Sequence, residues 1–424
     1  MISFISLGTM RQRFREAVAR IANTDNNLIA RLPLFEKSLL PILSLASVLY
    51  SATSFVRRRL YHYGLLTPIR LPVPVVSVGN ITWGGNGKTP MVEFLSSCFL
   101  HGGICPIILT RGYAGGDEAR LLQNHFEGSC ARVGVGPNRA AIARSILEEH
   151  GITDISEREQ LAECIEPSFG EQLPIHHPRG HGKVGVVLLD DGMQHWQLAR
   201  DLEIVMVNLI TTWGNNQMVP RGPLRESLEE LRRADVVVLH HADLVSNGKI
   251  QRVRDVLGQF MRPSSVVILS RMAPRRFFRL PRSGMDALYS QHIHKKSWPL
   301  VSLDVIKGAA VLCVSGVGCP ESVSLALQQM GSCHVERMDY LDHHNFQAKE
   351  LKDISVRYFE LQQRFQGTAV LLVLTEKDYV RDPAIWTSLK GVDLLVLHSS
   401  LEILPAGGAF QSLKRMLRTS FKAR

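Results

Sequence analysis

The chain has 424 residues, of which 45 % are apolar and 21 % are charged. This composition is typical of a folded α/β protein and excludes a wholly disordered chain. The formal net charge of +10 favours anionic partners, namely nucleotides, phosphorylated sugars, an anionic membrane surface or nucleic acid, without choosing among them.

Seven cysteines are scattered along the chain without a C-x-x-C pair or a Cys/His quartet. We therefore expect neither a zinc site nor a disulfide framework. All seven are predicted to be small apolar core residues of a protein from a reducing compartment.

The first predicted element is a basic amphipathic helix within residues 1–29. Arginines are frequent in its first 20 residues, the acidic residue there is Glu16, and Phe14, Val18 and Ile21 follow a helical spacing. This pattern is typical of a mitochondrial targeting extension. An ordinary basic surface helix is the alternative. The first interpretation implies a mitochondrial protein.

Residues 30–66 contain an uncharged segment from Ser38 to Val56, bounded by Lys37 and by the arginines 57–59. Its length is close to that of a membrane-spanning helix, but its serines reduce the hydrophobicity. We expect a helix that lies in the membrane interface with its arginines on lipid headgroups. A buried core helix is the alternative.

From Pro72 onward, short apolar β-branched runs alternate with amphipathic helical stretches. Such uninterrupted runs predict buried parallel strands in a doubly wound α/β sheet. The Pro- and Arg-rich stretch 271–284 breaks this rhythm and is predicted to be a surface loop. The strands after it predict a smaller α/β lobe, so the predicted division is a core over 67–300 and a C-terminal lobe over 301–424.

The strongest motif is SVGNITWGGNGKTP, residues 77–90, which follows an apolar strand and precedes a helix. Its glycines would let backbone N–H groups approach phosphate oxygens, and the helix N-terminus would add its positive end. Lys88 would neutralise phosphate charge, and the Thr89 hydroxyl would bind Mg²⁺. The strict phosphate-loop pattern has glycine where this chain has Thr82. A glycine-rich turn with a chance GKT is the alternative.

Two aspartates, Asp190 and Asp191, end the apolar run in VVLLDDGMQH. Carboxylates at the carboxyl end of a parallel strand face the crevice where open α/β sheets bind ligands. There they would hold Mg²⁺ directly or through water. Acidic residues in a helix-capping turn are the alternative.

Three further polar clusters follow predicted strands and, taken alone, are predicted to be solvated loops. The adjacent histidines of the last cluster suggest a metal pair, but adjacent side chains rarely reach one ion, and an acid–base role needs a carboxylate from elsewhere. The cluster residues are Arg111 and Asp117 in RGYAGGDE, Arg221, Arg225 and Glu226 in PRGPLRE, and Asp342, His343 and His344 in DHHNF.

Taken together, the motifs resemble those of the tetraacyldisaccharide 4'-kinase family of lipid A biosynthesis. In chain order they are SVGNITWGGNGKTP, RGYAGGDE, DDGMQHWQLARDLEIV, PRGPLRE, DHHNF and TEKD, and the resemblance spans about Ala30 to the C-terminus. The family lacks the first glycine of the strict loop, so Thr82 is a family trait. The resemblance implies a P-loop NTPase-type doubly wound core with a smaller α/β lobe, joined by a β-ribbon hinge.

The resemblance also implies a reaction. The family transfers the γ-phosphate of ATP to the 4'-hydroxyl of a membrane-borne acylated glucosamine disaccharide 1-phosphate, using Mg²⁺. The implied partners are therefore ATP, this glycolipid and the membrane surface, and no nucleic acid is expected. If the N-terminus is not a targeting extension, the resemblance implies the cytosolic face of a bacterial inner membrane.

Site residues carry over from the family motif by motif. Metal binding is implied for Thr89, Asp190 and Glu226. The residues implied to bind ATP are Trp83, Gly84, Gly85, Asn86, Gly87, Lys88, Thr89 and Pro90.

The remaining implied roles concern the chemical step. Asp117 and His343 would form a carboxylate–imidazole dyad that acts as general base toward the sugar hydroxyl. Lys88 and Asp191 would act in catalysis. The residues implied to steer substrate or phosphate are His195 and Arg225.

Two rival functions share parts of the pattern. A P-loop ATPase or GTPase without a lipid acceptor would have the same loop, but guanine-reading proteins carry N/T-K-x-D, whereas residues 375–378 read TEKD with lysine displaced. A nucleic-acid binder would fit the positive charge, but the basic residues are dispersed and the sequence has no aromatic-interleaved RNA motif. The sequence therefore predicts the kinase.

Overall fold

Helices and strands alternate through most of the protein. The computed structural model describes residues 7–24, 26–112, 116–153, 182–280, 299–405 and 408–422. The helices are α1 Leu7–Asn23, α2 Leu34–His62, α3 Lys88–His101, α4 Asp117–His125, α5 Arg139–His150, α6 Asn247–Phe260, α7 Pro320–Gln329, α8 Ala348–Arg364, α9 Glu376–Arg381, α10 Pro383–Trp386 and α11 Ala409–Lys422. The strands are β1 Val75–Gly79, β2 Cys105–Thr110, β3 Arg132–Val135, β4 Val184–Asp190, β5 Leu202–Asn208, β6 Val236–His240, β7 Val266–Arg279, β8 Leu300–Val301, β9 Ala310–Ser315, β10 His334–Asp339, β11 Val370–Thr375 and β12 Leu394–Ile403.

Within the described residues, twelve strands form one sheet in the order β10-β9-β11-β12-β7-β6-β5-β1-β4-β2-β3, with β8 beside β7. Neighbouring strands are parallel in every pair except β7 with β12 and β7 with β8, which are antiparallel. Central strands such as β4 and β5 are buried throughout, as expected where helices cover both faces of a sheet. The predicted α/β fold with a mostly parallel, doubly wound sheet is confirmed.

Strand β7 runs through the stretch predicted to be a surface loop, so that prediction is wrong for residues 271–279. The proline that suggested a loop, Pro274, lies opposite Ser399 of β12, where the register of the pair shifts. A proline cannot donate to the hydrogen-bond ladder, and sheets accommodate it at irregularities of this kind. Residues 281–284 lie outside the described residues.

The arginines of the same stretch also have partners in the sheet. Arg271 and Arg275 each form an ion pair with Glu402 of β12, at 3.2 and 3.4 Å. These two arginines, whose charges suggested a solvent-exposed loop, therefore form cross-strand ion pairs where the two halves of the sheet meet.

The C-terminal helix α11 returns to the first half of the sheet. Leu413 and Phe421 belong to the same buried cluster as the first strands, and the rings of Phe421 and Phe99 stack with centroids 6.1 Å apart. The sheet also continues across the predicted boundary, because β12 pairs with β7. The division into 67–300 and 301–424 stays a prediction.

Helices α1 and α2 pack against each other through a small apolar cluster that includes Ile21 and Leu43. The opposite side of α2 is exposed: the exposed fractions of Ile42, Leu45 and Leu49 are 68 %, 64 % and 60 %. By length and composition α2 is long and apolar enough to cross a membrane, and 11 % of its most apolar window is buried. A helix this exposed is not the buried core helix that the sequence left as an alternative.

The polar side of α2 docks on the loop that follows β5. Ser47 Oγ donates to the carbonyl of Met218 at 2.8 Å, and the Tyr50 hydroxyl donates to the carbonyl of Arg225 at 3.0 Å. Near the helix end, Arg58 forms an ion pair with Glu230. Among the described residues, the amphipathic helix is therefore anchored to the protein on one side only.

The cysteine prediction is wrong for three residues. Cys105 and Cys130 form a disulfide with their Cα atoms 5.5 Å apart, and Cys333 is exposed. Cys105 begins β2 and Cys130 lies just before β3, so the pairing of these two strands brings the cysteines together. The seventh cysteine, Cys164, lies outside the described residues. The cysteines that are buried free thiols, as predicted, are Cys98, Cys313 and Cys319.

Candidate active site

The predicted phosphate loop connects β1 to α3 at the carboxyl end of the strand. Gly87 has a φ of 80°, and α3 begins at the next residue, Lys88. A Cβ at Gly87 would lie 2.6 Å from the His240 ring, so both the backbone and the neighbour require glycine. Asn86 braces the loop, since its Nδ2 donates to the carbonyl of Gly84 at 3.0 Å.

The other loop positions also have defined surroundings. Thr82, which replaces the usual glycine, is buried with its Oγ1 3.3 Å from Asn86 Oδ1. Trp83 packs against the apolar cluster between α1 and α2. Pro90 lies in the first turn of α3. The predicted ATP-binding residues thus form one braced loop that ends at a helix N-terminus, where backbone N–H groups attract anions.

Asp191 joins the loop lysine to an arginine from another loop. Its carboxylate accepts two hydrogen bonds from Arg225, with Nη1–Oδ1 at 2.6 Å and Nη2–Oδ2 at 2.8 Å. Lys88 Nζ lies 3.7 Å from Asp191 Oδ1, and Arg139 donates to the Asp191 carbonyl at 3.1 Å. Burial would raise the pKa of Asp191, but Lys88 and Arg225 hold it well below its usual range. Asp191 is therefore ionised at neutral pH.

Asp190 ends β4 and is almost fully buried. Thr89 Oγ1 donates to its Oδ2 at 3.1 Å, whereas Oδ1 has no hydrogen-bond partner among the described residues. Burial and the negative charge of Glu118 raise the pKa of Asp190 to about 7, although Lys88 opposes this. A buried, unsatisfied carboxylate oxygen beside a hydroxyl offers the hard oxygen donors that Mg²⁺ prefers. The residues present therefore fit a magnesium ion.

Asp117 and His343 are in direct contact, although 226 positions separate them in the chain. Asp117 begins α4, and its Oδ1 and Oδ2 lie 3.0 and 2.8 Å from His343 Nδ1. Burial would raise the pKa of Asp117, but His343 and Lys377 lower it to about 2. Burial would lower the pKa of His343, but the hydrogen bond to Asp117 raises it. The catalytic role of this pair stays a prediction.

Two basic residues of α9 support this pair, Arg381 by direct contact and Lys377 through the neighbouring acidic residues, and the sequence analysis missed both. Arg381 donates to Asp117 Oδ2 from Nε at 3.2 Å and from Nη2 at 3.0 Å. Lys377 Nζ lies 3.1 Å from Glu118 Oε1 and 3.2 Å from Asp342 Oδ1. The TEKD segment was used as a family motif and compared with a guanine-reading motif, but no site role was assigned to Lys377. The signal that it offered was position, since it lies at the carboxyl end of the apolar strand β11 just as the two aspartates lie at the carboxyl end of β4.

The phosphate loop and the Asp117–His343 pair lie close together where the halves of the sheet meet. A Cβ at Gly85 would lie 2.9 Å from the backbone of Gly318, in the turn after β9. Glu118 Oε1 lies 4.0 Å from His343 Nε2, and its charge also raises the pKa of Asp190. The phosphate loop and the predicted acid–base pair therefore share one crevice.

His195 lies in the turn after the two aspartates. Arg200 donates to its carbonyl at 2.8 Å. Burial and the positive charges of Arg139 and Arg200 lower the pKa of His195 to about 4, so the ring is neutral at pH 7. Arg139 also bonds to Asp191, which links His195 to the crevice. The cationic surroundings would suit an anionic group of a substrate.

Glu226, the third predicted metal ligand, has its side-chain contact away from Thr89 and Asp190. Its Oε2 accepts a hydrogen bond from Arg233 Nη2 at 2.5 Å. Burial raises the pKa of Glu226 to about 7 in spite of Arg233. Adjacent residues of this loop thus have different partners: Arg225 contacts Asp191, and Glu226 contacts Arg233. A metal-binding role for Glu226 stays a prediction.

Comparison with known proteins identifies the family. A family model described as tetraacyldisaccharide-1-P 4'-kinase matches residues 39–418. The chain belongs to this family. A relative from Arabidopsis thaliana, named probable tetraacyldisaccharide 4'-kinase, mitochondrial, is 40 % identical over 394 residues and covers 93 % of each chain. The tetraacyldisaccharide 4'-kinase of Halothermothrix orenii is 31 % identical over 356 residues, covering 82 % of this chain and 84 % of that one.

The fold has a counterpart in a solved structure. The crystal structure described as the "apo" form of LpxK from Aquifex aeolicus in complex with ATP covers 91 % of this chain and 99 % of that one, with a TM-score of 0.54 and 22 % identity. A likeness at this identity shows a shared fold. The resemblance to the tetraacyldisaccharide 4'-kinase family that the motifs carried is confirmed, and with it the P-loop kinase fold.

Proposed function

We propose that this member of the family transfers the γ-phosphate of ATP to the 4'-hydroxyl of an acylated glucosamine disaccharide 1-phosphate. Family membership supports the reaction. The observation that carries it is the hydrogen bond between Asp117 and His343 beside the phosphate loop. A sugar hydroxyl must lose its proton during transfer, and a carboxylate–imidazole pair is suited to accept it.

The phosphate loop would hold ATP by charge and by backbone amides. The N–H groups of the glycine-rich turn and the first turn of α3 attract phosphate oxygens. Lys88 would add its positive charge, and Asp191 keeps that lysine beside Arg225. These groups act mainly by positioning and by neutralising charge, which is most of what phosphoryl transfer requires.

Thr89 and Asp190 are the proposed ligands of Mg²⁺. Their oxygens are adjacent, and Asp190 Oδ1 has no other partner within the described part of the chain. When bound, the ion would neutralise negative charge on the transferred phosphate. Asp191 is already ionised and paired with two cations, so its proposed role is to keep those cations in place.

In the chemical step, the 4'-oxygen forms a bond to the γ-phosphorus while the bond from this phosphorus to the bridging oxygen of ADP breaks. The hydroxyl proton passes to the Asp117–His343 pair. Arg381 and Lys377 hold that pair in position and balance its charge. A positioned base of this kind accelerates a reaction typically by about 100- to 10,000-fold.

The test incubates the purified protein with labelled ATP and an acylated disaccharide 1-phosphate in detergent. Label is expected on the glycolipid, whereas label found only as free phosphate would favour an ATPase. Asp117→Asn and His343→Ala should each reduce turnover by about 100-fold or more while ATP binding is retained. His334→Ala, a histidine change in β10, is the control. Wild-type turnover in both dyad variants would exclude the assigned base.

The exposed face of α2 is proposed to lie on the membrane that carries the glycolipid. One side of α2 is docked on the protein, so a helix in the interface fits better than an isolated spanning helix. In liposome flotation, the double change Leu45→Glu and Leu49→Glu should release the protein from vesicles. Val356→Glu, on an exposed apolar position of α8, is the matched control. Equal flotation of all three proteins would refute membrane contact through α2.

A mitochondrial location is proposed from the plant relative and from the basic N-terminus. The end of α1 is part of the fold, because Ile21 and Ala22 are buried and Asn215 bonds to both of their carbonyls, at 3.1 and 3.2 Å. A cleavage that preserves this packing would fall before Ala17. N-terminal sequencing of the protein recovered from mitochondria tests this, and a mature N-terminus beyond residue 29 would contradict it.

A further inference from the structure

Four ionisable side chains that the proposed reaction does not use meet between the two halves of the sheet. Glu93 comes from α3, His125 ends α4, Glu376 begins α9 and His398 lies on β12. His125 Nε2 lies 3.0 Å from Glu376 Oε1, and His398 Nδ1 lies 2.7 Å from Glu376 Oε2. His125 Nδ1 contacts Glu93 Oε1. The side chains of His125 and Glu376 are each 9 % exposed.

We propose that His125, Glu376 and His398 bind a divalent transition-metal ion, with zinc as the preferred ion. Each of these residues offers one ligand atom, and the three atoms all lie within 4.8 Å of one another. Zinc binds imidazole nitrogen and carboxylate oxygen at about 2.0–2.2 Å in a tetrahedron, so its ligand atoms lie roughly 3.3 Å apart. The separations of 3.0 and 2.7 Å reach different oxygens of Glu376, so to hold the ion this carboxylate must bind it through both oxygens or turn so that one oxygen faces both histidines.

Glu93 supplies the outer support that metal-bound histidines normally have. When His125 Nδ1 donates its proton to Glu93, the Nε2 lone pair is left facing Glu376 and His398. A carboxylate on the far nitrogen fixes the ring orientation and makes the metal-facing nitrogen a better ligand. A divalent ion also balances the charge, because two neutral imidazoles and two carboxylates together carry a charge of −2.

The proposed site would join elements that carry the crevice residues. Helix α4 bears Asp117 at its first position and His125 at its last, and α9 bears Glu376 first and Arg381 last. A metal at one end of both helices would fix their relative position, so the role is structural and does not depend on the proposed reaction. The competing arrangement is a metal-free cluster in which a protonated His125 bridges the two glutamates.

Metal counting on the full-length protein in detergent separates these two arrangements. The protein is loaded with zinc chloride, passed through gel filtration and measured by mass spectrometry of the metal. About one zinc per chain is expected for the wild type and for His334→Gln, the control on β10. Less than about a tenth of this is expected for His398→Gln and for Glu376→Gln, each of which removes a ligand.

Two further variants sharpen the result. Glu93→Gln keeps all three ligands and should weaken zinc binding by about 10- to 100-fold, the usual effect of an outer carboxylate. Asp190→Asn should leave the zinc in place. Cobalt-loaded wild type should show the visible absorption of four-coordinate cobalt, and His398→Gln should not. Zinc absent from the wild type, retained in both ligand variants or lost in Asp190→Asn would overturn the proposal. The wild-type count does not depend on whether a variant folds.

Discussion

Arg225 and Asp191 meet through two parallel hydrogen bonds, 2.6 and 2.8 Å long, across the mouth of the phosphate loop. The guanidinium group is planar and matches a carboxylate edge, which an ammonium group cannot do. Because Asp191 also lies 3.7 Å from Lys88, the arginine indirectly positions the loop lysine. The pair therefore links a distant loop to the residues that are predicted to bind phosphate.

Arg225→Lys is expected to reduce turnover by roughly 10- to 100-fold, because it removes one of two charged hydrogen bonds, each worth about 1.5–3 kcal/mol. Steady-state turnover and ATP binding measure the effect. Arg262→Lys makes the same change at the exposed pair with Asp235, where little effect is expected. Equal activity of both variants would show that the two-bond geometry is not needed.

The pKa of Asp190, raised to about 7 from the ordinary 3.8, predicts a pH-dependent stability of the ligand-free protein. The folded state binds a proton more tightly than the unfolded state, so this group stabilises the fold at low pH and loses that contribution as pH rises from about 4 to 7. Glu226 contributes with the same sign. Chemical unfolding at pH 5 and pH 8 should therefore show a smaller decrease for Asp190→Asn than for the wild type. An equal decrease would contradict the assignment.

Gly85→Ala is expected to disturb the contact between the phosphate loop and the turn after β9. The added methyl group would lie 2.9 Å from backbone atoms of Gly318 and Cys319, which cannot turn aside as a side chain can. Overpacking of this kind destabilises by about 1–3 kcal/mol, and turnover should fall with it. Chemical unfolding and the kinase assay measure the two effects.

Gly258→Ala is the matched control for that variant. It lies within α6 and nothing lies within 4 Å of its added methyl group, so it should stabilise the protein by about 0.5–1 kcal/mol. If Gly85→Ala behaved in the same way, the close approach to Gly318 would have no energetic consequence.

Cys130→Ser is expected to lower the free energy of unfolding by about 3 kcal/mol, because the disulfide to Cys105 closes a loop with a sequence separation of 25. Cys333→Ser, at an exposed free thiol, should change it by less than about 0.5 kcal/mol. Urea unfolding under oxidising conditions gives both values. Addition of a reductant should abolish the difference between Cys130→Ser and the wild type.

Local motifs predicted where the phosphate loop and Asp190 lie in the fold, because strand, loop and helix follow one another within a few residues. The contact of Asp117 with His343 could be expected only from the family, since no local pattern joins residues so far apart. Arg381 and Lys377 were missed for the same reason. Their partners come from other elements and are brought together by the fold.

Two predictions that rested on composition alone, the loop over 271–279 and the absence of a disulfide, were wrong because composition does not show which strands pair. The prolines and arginines of 271–279 indicated a loop, but an irregularity beside Pro274 and acidic partners on β12 let the strand continue. Cys105 and Cys130 carry no spacing signal, and only the pairing of β2 with β3 brings them together.

Helix α4 is held at both ends by the C-terminal part of the chain: at its first residue by His343 and Arg381, and at its last by Glu376. In sequence, however, it lies between β2 and β3 at the far edge of the sheet. If the crevice opens, either these contacts break or α4 moves together with the C-terminal half of the sheet. In the second case the proposed proton acceptor moves together with Arg381, and only its distance from the bound nucleotide changes.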